Sequence, residues 1–209
     1  AIFIPKNDFW HQIYLFIRHW KGGFMQTNKL IADLFKYNTG YLIKHLTEID
    51  KSRLFIRPNY NLNPIIWIFG HIIVSRGGLV EILGEDSQTD NMVCFFSSGT
   101  VPLNDPSEYP HIDELMSKFR NLNAQLVRII IEGGESLLVK QAWGEHDTLG
   151  KHLISGYIHE SYHIGQISYL FKFTSNPLSR TTRFNYKTKR KNSTSKILLD
   201  SLKSVLTVK

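Results

Sequence analysis

The chain has 209 residues, of which 42% are hydrophobic and 21% charged, enough for one domain with a full core and unlike a disordered or fibrous composition. Its single cysteine, Cys94, excludes an internal disulfide and any zinc site built on several thiolates, and nothing in the cysteine usage points to an oxidising compartment. Residues 177–209 hold nine Lys/Arg and one acid and residues 1–24 three and one, so of the net +7 the stretch 25–176 carries −3, and the high pI says nothing about nucleic acid.

Residues 1–24 lack a clear period and read as an N-terminal extension. Phe9 to Ile17 is uncharged but contains His11 and Gln12, and it lacks the basic, apolar, small-residue order of a secretory signal. No segment reaches the ~18 consecutive apolar residues of a membrane span. The expected location is cytoplasmic, with no membrane partner. The chain starts at Ala1 rather than Met, as a fragment or processed product would.

A first helix is predicted over 27–49, with Leu30, Leu34, Tyr37, Tyr41, Leu42 and His45 near one face at three- and four-residue steps. Pro58 to Asn63 is turn-rich. A second helix follows to about residue 83, with Asn63 as N-cap, Pro64 at the first helical position and Gly84 as C-terminal cap. Residues 85–109 read as a long loop anchored by Cys94, Phe95 and Phe96, a lid or a site wall. Apolar neighbours Met92, Val93, Phe95 and Phe96 suggest a buried, inert Cys94 thiol.

A third helix is predicted over 112–131, striped by Leu115, Phe119, Leu122, Leu126 and Ile129, and ended by Gly133-Gly134. Leu137 to Val139 reads as a short extended piece. Asp147-Thr148 caps a fourth helix over 149–173. The fold class is therefore all-α, an antiparallel four-helix bundle over 25–176 with a long loop between helices 2 and 3. A mixed α+β domain with a small sheet near 92–97 and 136–143 is the alternative. Residues 177–209 read as a basic tail, with Ile197 to Val208 able to form a short amphipathic helix. Its Lys187 to Lys191 run is read as solvated rather than as a nucleic-acid site.

The fourth helix carries His159-Glu160-Ser161-Tyr162-His163. Residues four apart share a helix face with Cβ atoms ~5–6 Å apart, so His159 and His163 can reach one metal ion. The inward stripe is His152, Gly156, His159, His163, Gln166 and Leu170, with Gly156 leaving room one turn before the pair. His71 sits mid-helix among apolar residues, where a neutral imidazole needs a polar partner. That partner is either a hydrogen-bonding core group or a metal shared with the fourth helix. Gly70 beside it would ease close approach of helices.

HExxH suggests a zinc protease with Glu160 as general base. However, Gly165 is one place early for the metzincin pattern, and no His or Glu follows His163. A third ligand must come from upstream, which fits His71. Glu160 can serve as general base, as a partner holding an imidazole, or as an inter-helix salt bridge. Gln166, on the His163 face, can support the ligands or pack as a polar core residue. Trp67 reads as core, Tyr162 and Tyr169 as packing, and His152 as a bundle-end residue.

Asn63-Pro64-Ile65-Ile66-Trp67-Ile68-Phe69-Gly70-His71 together with His159 to Ile167 (HESYHIGQI) resembles the DinB-like superfamily. The stretch from Gly99-Thr100-Val101-Pro102 to Tyr109-Pro110 and Asp113-Glu114-Leu115 is similar to its loop into the third helix. The resemblance covers about 25–174. It implies a four-helix bundle with His71, His159 and His163 as ligands of one divalent ion: zinc or nickel first, iron or manganese as alternatives. It also implies a homodimer.

Three neutral His ligands leave a position for water or substrate. The expected function is a metal-dependent thiol S-transferase or hydrolase that activates a low-molecular-weight thiol or water against a small-molecule substrate under the 85–109 loop. The alternative is a non-catalytic, metal-stapled binding or stress-response protein.

Overall fold

The structure, a computed structural model, describes residues 26–57, 62–142 and 147–175. The expected N-terminal extension over 1–24 and the basic tail over 177–209, with its Lys187 to Lys191 run, lie outside the described residues. Five α-helices are described: α1 Thr27–Glu48, α2 Ile65–Ile82, α3 Asp90–Phe96, α4 Ile112–Leu138 and α5 Leu149–Ser175, with 3-10 turns at Lys51–Phe55 and Pro106–Glu108. The protein is all-α, and among the described residues the one β-type pairing is an isolated bridge between Gln141 and Thr148. The mixed α+β alternative is therefore overturned: 92–96 belong to α3 and 136–138 to the last turn of α4.

Side-chain contacts fix the helix directions. Phe69 packs on Phe119 and Glu85 binds Arg128, so α2 and α4 run parallel. Leu79 meets Gly156 and His71 meets His159, so α2 and α5 are antiparallel. Asn28 bonds Ile130 and Thr39 bonds Asn123, so α1 and α4 are antiparallel. The chain from α2 to α4 must therefore travel back along the bundle, about 27 Å for an 18-residue helix at 1.5 Å per residue. That return explains the long 85–109 connection. It is not bare loop, because Met92 and Phe96 are buried and wind the short α3 onto the core.

Helix boundaries follow local chemistry with small shifts. Pro64, not Asn63, occupies the N-cap of α2. At its other end Gly84 (φ 93°) donates to Glu81 O at 2.9 Å while Glu85 N–H reaches Val80 O at 3.2 Å, a left-handed glycine cap. Thr148 Oγ1 accepts from Lys151 N at 3.4 Å, capping α5 as the sequence suggests. Gly134 (φ 60°) breaks α4 but does not end it. A further turn continues to Leu138 because Leu137 buries against Gly133, whose missing Cβ makes the space.

The buried face of α1 differs from the predicted stripe. Asn28, Ile31, Ala32, Phe35, Asn38, Thr39, Leu42 and Leu46 are buried, while Leu30, Leu34, Tyr37, Tyr41 and His45 are only partly covered. Apolar periodicity misses this rotation because three of the inward residues are polar, each held by a side-chain hydrogen bond to another helix.

By length and hydropathy α2 alone among the described residues passes for a membrane span, yet 72% of it is buried inside the bundle. Its apolar character on all sides is that of a central helix.

Candidate metal centre

α2 delivers His71 to the interface with α5, where His159 and His163 face it one turn apart. The three rings meet edge to face, with centroids 4.5–5.2 Å apart. Nε2 of His159 lies 3.3 Å from Nε2 of His71 and 3.1 Å from Nε2 of His163. Among the described residues these three form a group whose ligand atoms lie within 4.8 Å of one another, with no fourth His, Cys, Asp or Glu. His152 is buried on the same helix but is not part of the group.

Each outer ring is held from behind. His71 Nδ1 lies 2.7 Å from the Phe96 carbonyl oxygen, which can only accept, so Nδ1 carries the proton and Nε2 the lone pair. The approach of Phe96 depends on Gly70, since a Cβ there would overlap the Phe96 ring. The helix that Gly70 admits is thus α3 rather than a bundle helix. Trp67 stacks flat on His71, with centroids 5.2 Å apart and planes 7° apart. Its Nε1–H donates to Thr100 Oγ1 at 3.1 Å, and Thr100 in turn donates to backbone oxygens of Phe95 and Ser97. The 85–109 segment therefore serves as a site wall. Trp67 is the core residue expected, with an added role as a platform for His71.

His163 Nδ1 lies 2.7 Å from Gln166 Oε1, and Gln166 Nε2–H donates to Tyr162 Oη at 3.1 Å. The amide orientation again places the proton on Nδ1 and the lone pair on Nε2. Gln166 takes the supporting role considered from sequence. Tyr162 and Tyr169 are not packing residues: they are 63% and 70% exposed.

Burial, with the neighbouring imidazoles adding to it, lowers the His159 pKa and brings His163 down to about 4 despite the opposing Gln166 bond. At neutral pH both rings are uncharged. Two lone pairs, on His71 and His163, then face His159 Nε2. A neutral imidazole nitrogen carries at most one proton and can satisfy only one of them. A cation satisfies all three. Two nitrogens bound at ~2.05 Å to one tetrahedral ion stand about 3.3 Å apart, close to the 3.3 and 3.1 Å that separate His159 Nε2 from those of His71 and His163, with all three ligand atoms within 4.8 Å of one another. The donor set fits a divalent metal held by His71, His159 and His163.

Glu160 points away from this group. Its Oε2 and Oε1 accept from Arg76 Nε at 2.9 Å and Nη2 at 2.6 Å, in a pair that is 1% and 3% exposed. This is the inter-helix ion pair among the sequence readings, and both carboxylate oxygens are engaged by it. Arg76 Nη1 also donates to Thr39 Oγ1 at 2.7 Å and to Asn123 Oδ1 at 3.4 Å. Its guanidinium lies over the rings of Phe119 (4.1 Å) and Phe35 (5.4 Å). Burial raises the Glu160 pKa and lowers that of Arg76, with their mutual attraction opposing both. A guanidinium stays protonated in a protein and both Glu160 oxygens accept from it, as a carboxylate's do, so the pair is ionic. Sequence reasoning missed Arg76. The signal was there, since it is the single Arg or Lys within the apolar run of α2.

Gly156 makes room for Leu79 rather than for a ligand: a Cβ would sit 2.5 Å from Leu79 Cδ1. Cys94 is exposed, not buried, because Met92 and Phe96 take the inward face of the one short helix they share. A groove of about 670 Å³ is lined by Leu62, Ile68, Tyr162, Gln166, Tyr169 and their neighbours, and so reaches the Gln166 that holds His163 but none of the three imidazoles themselves. None of 85–109 lines it, and no charged side chain is among its lining residues.

The fold and site define a helical bundle in which three imidazoles, converging from its second and last long helices, could hold a metal ion. The sequence model described as DinB superfamily matches residues 34–167, and the chain belongs to that superfamily. One similar solved structure is a conserved protein from Enterococcus faecalis, at 13% identity and a TM-score of 0.47, covering 71% of this chain and 96% of that one. No curated protein matches the chain.

Proposed function

We propose that the protein holds one divalent ion, zinc or nickel, through His71, His159 and His163, and uses it to activate a low-molecular-weight thiol or water against a small-molecule electrophile. The convergence of three Nε2 atoms, two of them stripped of protons by bonds on the far side of the ring, carries this reading. A bound divalent ion with an open position lowers the pKa of a water or thiol ligand into the neutral range. Three protein ligands with no fourth among the described residues leave such a position, which favours catalysis over a closed structural site.

The chain's own residues supply orientation. Phe96 O and Gln166 fix the tautomers of His71 and His163, and Trp67 fixes the plane of His71. The uncharged groove beside Gln166 and Tyr162 suits the apolar part of a substrate. We assign Glu160 to support through Arg76 rather than to general-base work, because both its oxygens are engaged away from the imidazoles.

The test is a panel of thiol-transfer and ester- or amide-hydrolysis assays on chelated protein and on protein reloaded with zinc or nickel. Turnover that appears on reloading and is absent in His163→Ala supports the proposal. A reloaded protein inert across the panel leaves the non-catalytic binding role.

A further inference from the structure

α2 lacks a device most bundle helices have. Residues Ile65 to Ile73 are all buried, so no polar face tells the helix which way to turn. Apolar packing against α5, such as Leu79 on Gly156, is compatible with small rotations and slips. Three nitrogens meant for one ion are not. Side-chain tips lie roughly 5–6 Å from a helix axis, so a 10° rotation moves a tip about 1 Å. Metal-ligand distances tolerate about 0.2 Å.

One polar feature spans all four long helices at this level. Arg76 of α2 holds both oxygens of Glu160 of α5, and the same guanidinium reaches Thr39 of α1 and Asn123 of α4. Thr39 Oγ1 also lies 3.0 Å from Asn123 Oδ1, and Asn38 of α1 donates to Ser161 Oγ of α5 at 3.2 Å. Phe35 and Phe119 clamp the guanidinium from two helices. A bidentate fork has one good geometry, and slippage would strand a buried charge. Glu160 is the immediate neighbour of His159 and lies three residues before His163, so fixing its place fixes theirs.

We propose that Arg76 and Glu160 are positioning residues for the metal centre: their ion pair sets the rotation and height of α5 against α2, and so sets divalent-ion affinity. The proposal rests on the three-histidine reading above, and its test includes a metal-free arm. Fixing register is the best-attested use of a buried polar group, and its stability contribution alone is a poor reason for it, since an apolar pair of similar volume is often as stable.

The deciding protein is the double variant Arg76→Met/Glu160→Leu in the full chain, beside the parent and Leu126→Ala, a core truncation in α4. Thermal unfolding, Zn2+ and Ni2+ titration calorimetry, and ring-proton Overhauser contacts among His71, His159 and His163 in apo protein are read for each. The expected result is a double variant that melts near the parent, binds either ion at least ~10-fold more weakly and loses the contacts between the α2 and α5 rings. Leu126→Ala should melt lower with affinity and contacts kept. Parent-like affinity and contacts in the double variant, or an equal affinity loss in Leu126→Ala, overturn the proposal. If the double variant does not fold, Arg76→Lys, which keeps the charge but not the fork, takes its place with the same readouts. If the parent binds neither ion, the metal reading fails, and the apo contacts still decide whether the pair positions the rings.

Discussion

Two buried polar clusters lie along α2, five residues apart, and they are built on opposite principles. Around Arg76 the strong donors and acceptors are matched: three of its nitrogens donate, and both Glu160 oxygens accept. Around His71 the rings of His71 and His163 are satisfied on their outer edges, while the inner nitrogens of all three face one another with too few protons to pair. A saturated cluster holds a fold, and an unsaturated one that the fold holds open is a place for something else to bind. Both interrupt the same apolar helix, so polarity within a hydrophobic run does not by itself separate structure from function; the state of the hydrogen bonds does.

The largest effect expected is on the saturated side. Glu160→Ala leaves Arg76 as an uncompensated buried charge and should cost about 3–5 kcal/mol of stability in urea unfolding at neutral pH. A loss under 1 kcal/mol would mean the pair is not buried as described. Gly70→Ala comes next. The added Cβ pushes Phe96, and with it the carbonyl that holds His71, at a cost of about 1–3 kcal/mol. The same variant should weaken metal binding, which separates it from an ordinary overpacked core residue. Gln166→Leu removes only the support behind His163, so it should lower metal affinity about 10–100-fold while leaving the melting temperature of apo protein nearly unchanged.

The smallest effect is on pH. His163 takes up its proton near pH 4 in the folded state but near 6.5 when unfolded. Between those values the unfolded chain binds the extra proton, so apo protein should lose stability as pH falls from 6.5 to 4. His163→Gln should flatten that part of the profile. The ring is only partly buried, so solvent screening keeps the change modest. A parent profile already flat there contradicts the buried, uncharged ring.

Much of this was legible in the sequence because the signals were local. The i, i+4 spacing of His159 and His163, the isolated His71, and the caps at Gly84 and Thr148 each depend on a few adjacent residues. What was hidden depends on partners far along the chain. The inward face of α1 carries Asn28, Asn38 and Thr39, whose burial makes sense only once Ile130, Ser161, Asn123 and Arg76 are beside them. Glu160 reads as a candidate base until Arg76, 84 residues away in sequence, is seen to hold it. Cys94 shows the converse error: apolar neighbours in sequence suggest burial, but on one short helix only Met92 and Phe96 take the inward side, leaving the thiol outside with Val93.

The central claim is that the three imidazoles bind a metal, and elemental mass spectrometry of the purified chain tests it most directly. Parent protein and His71→Ala, His159→Ala and His163→Ala variants would be measured after exposure to equal zinc and nickel and removal of loose ions. The account predicts about one divalent ion per parent chain and a large loss in each variant that remains folded. A parent without metal, or variants that keep it in full, would contradict the account and leave a helical bundle whose histidines serve another purpose.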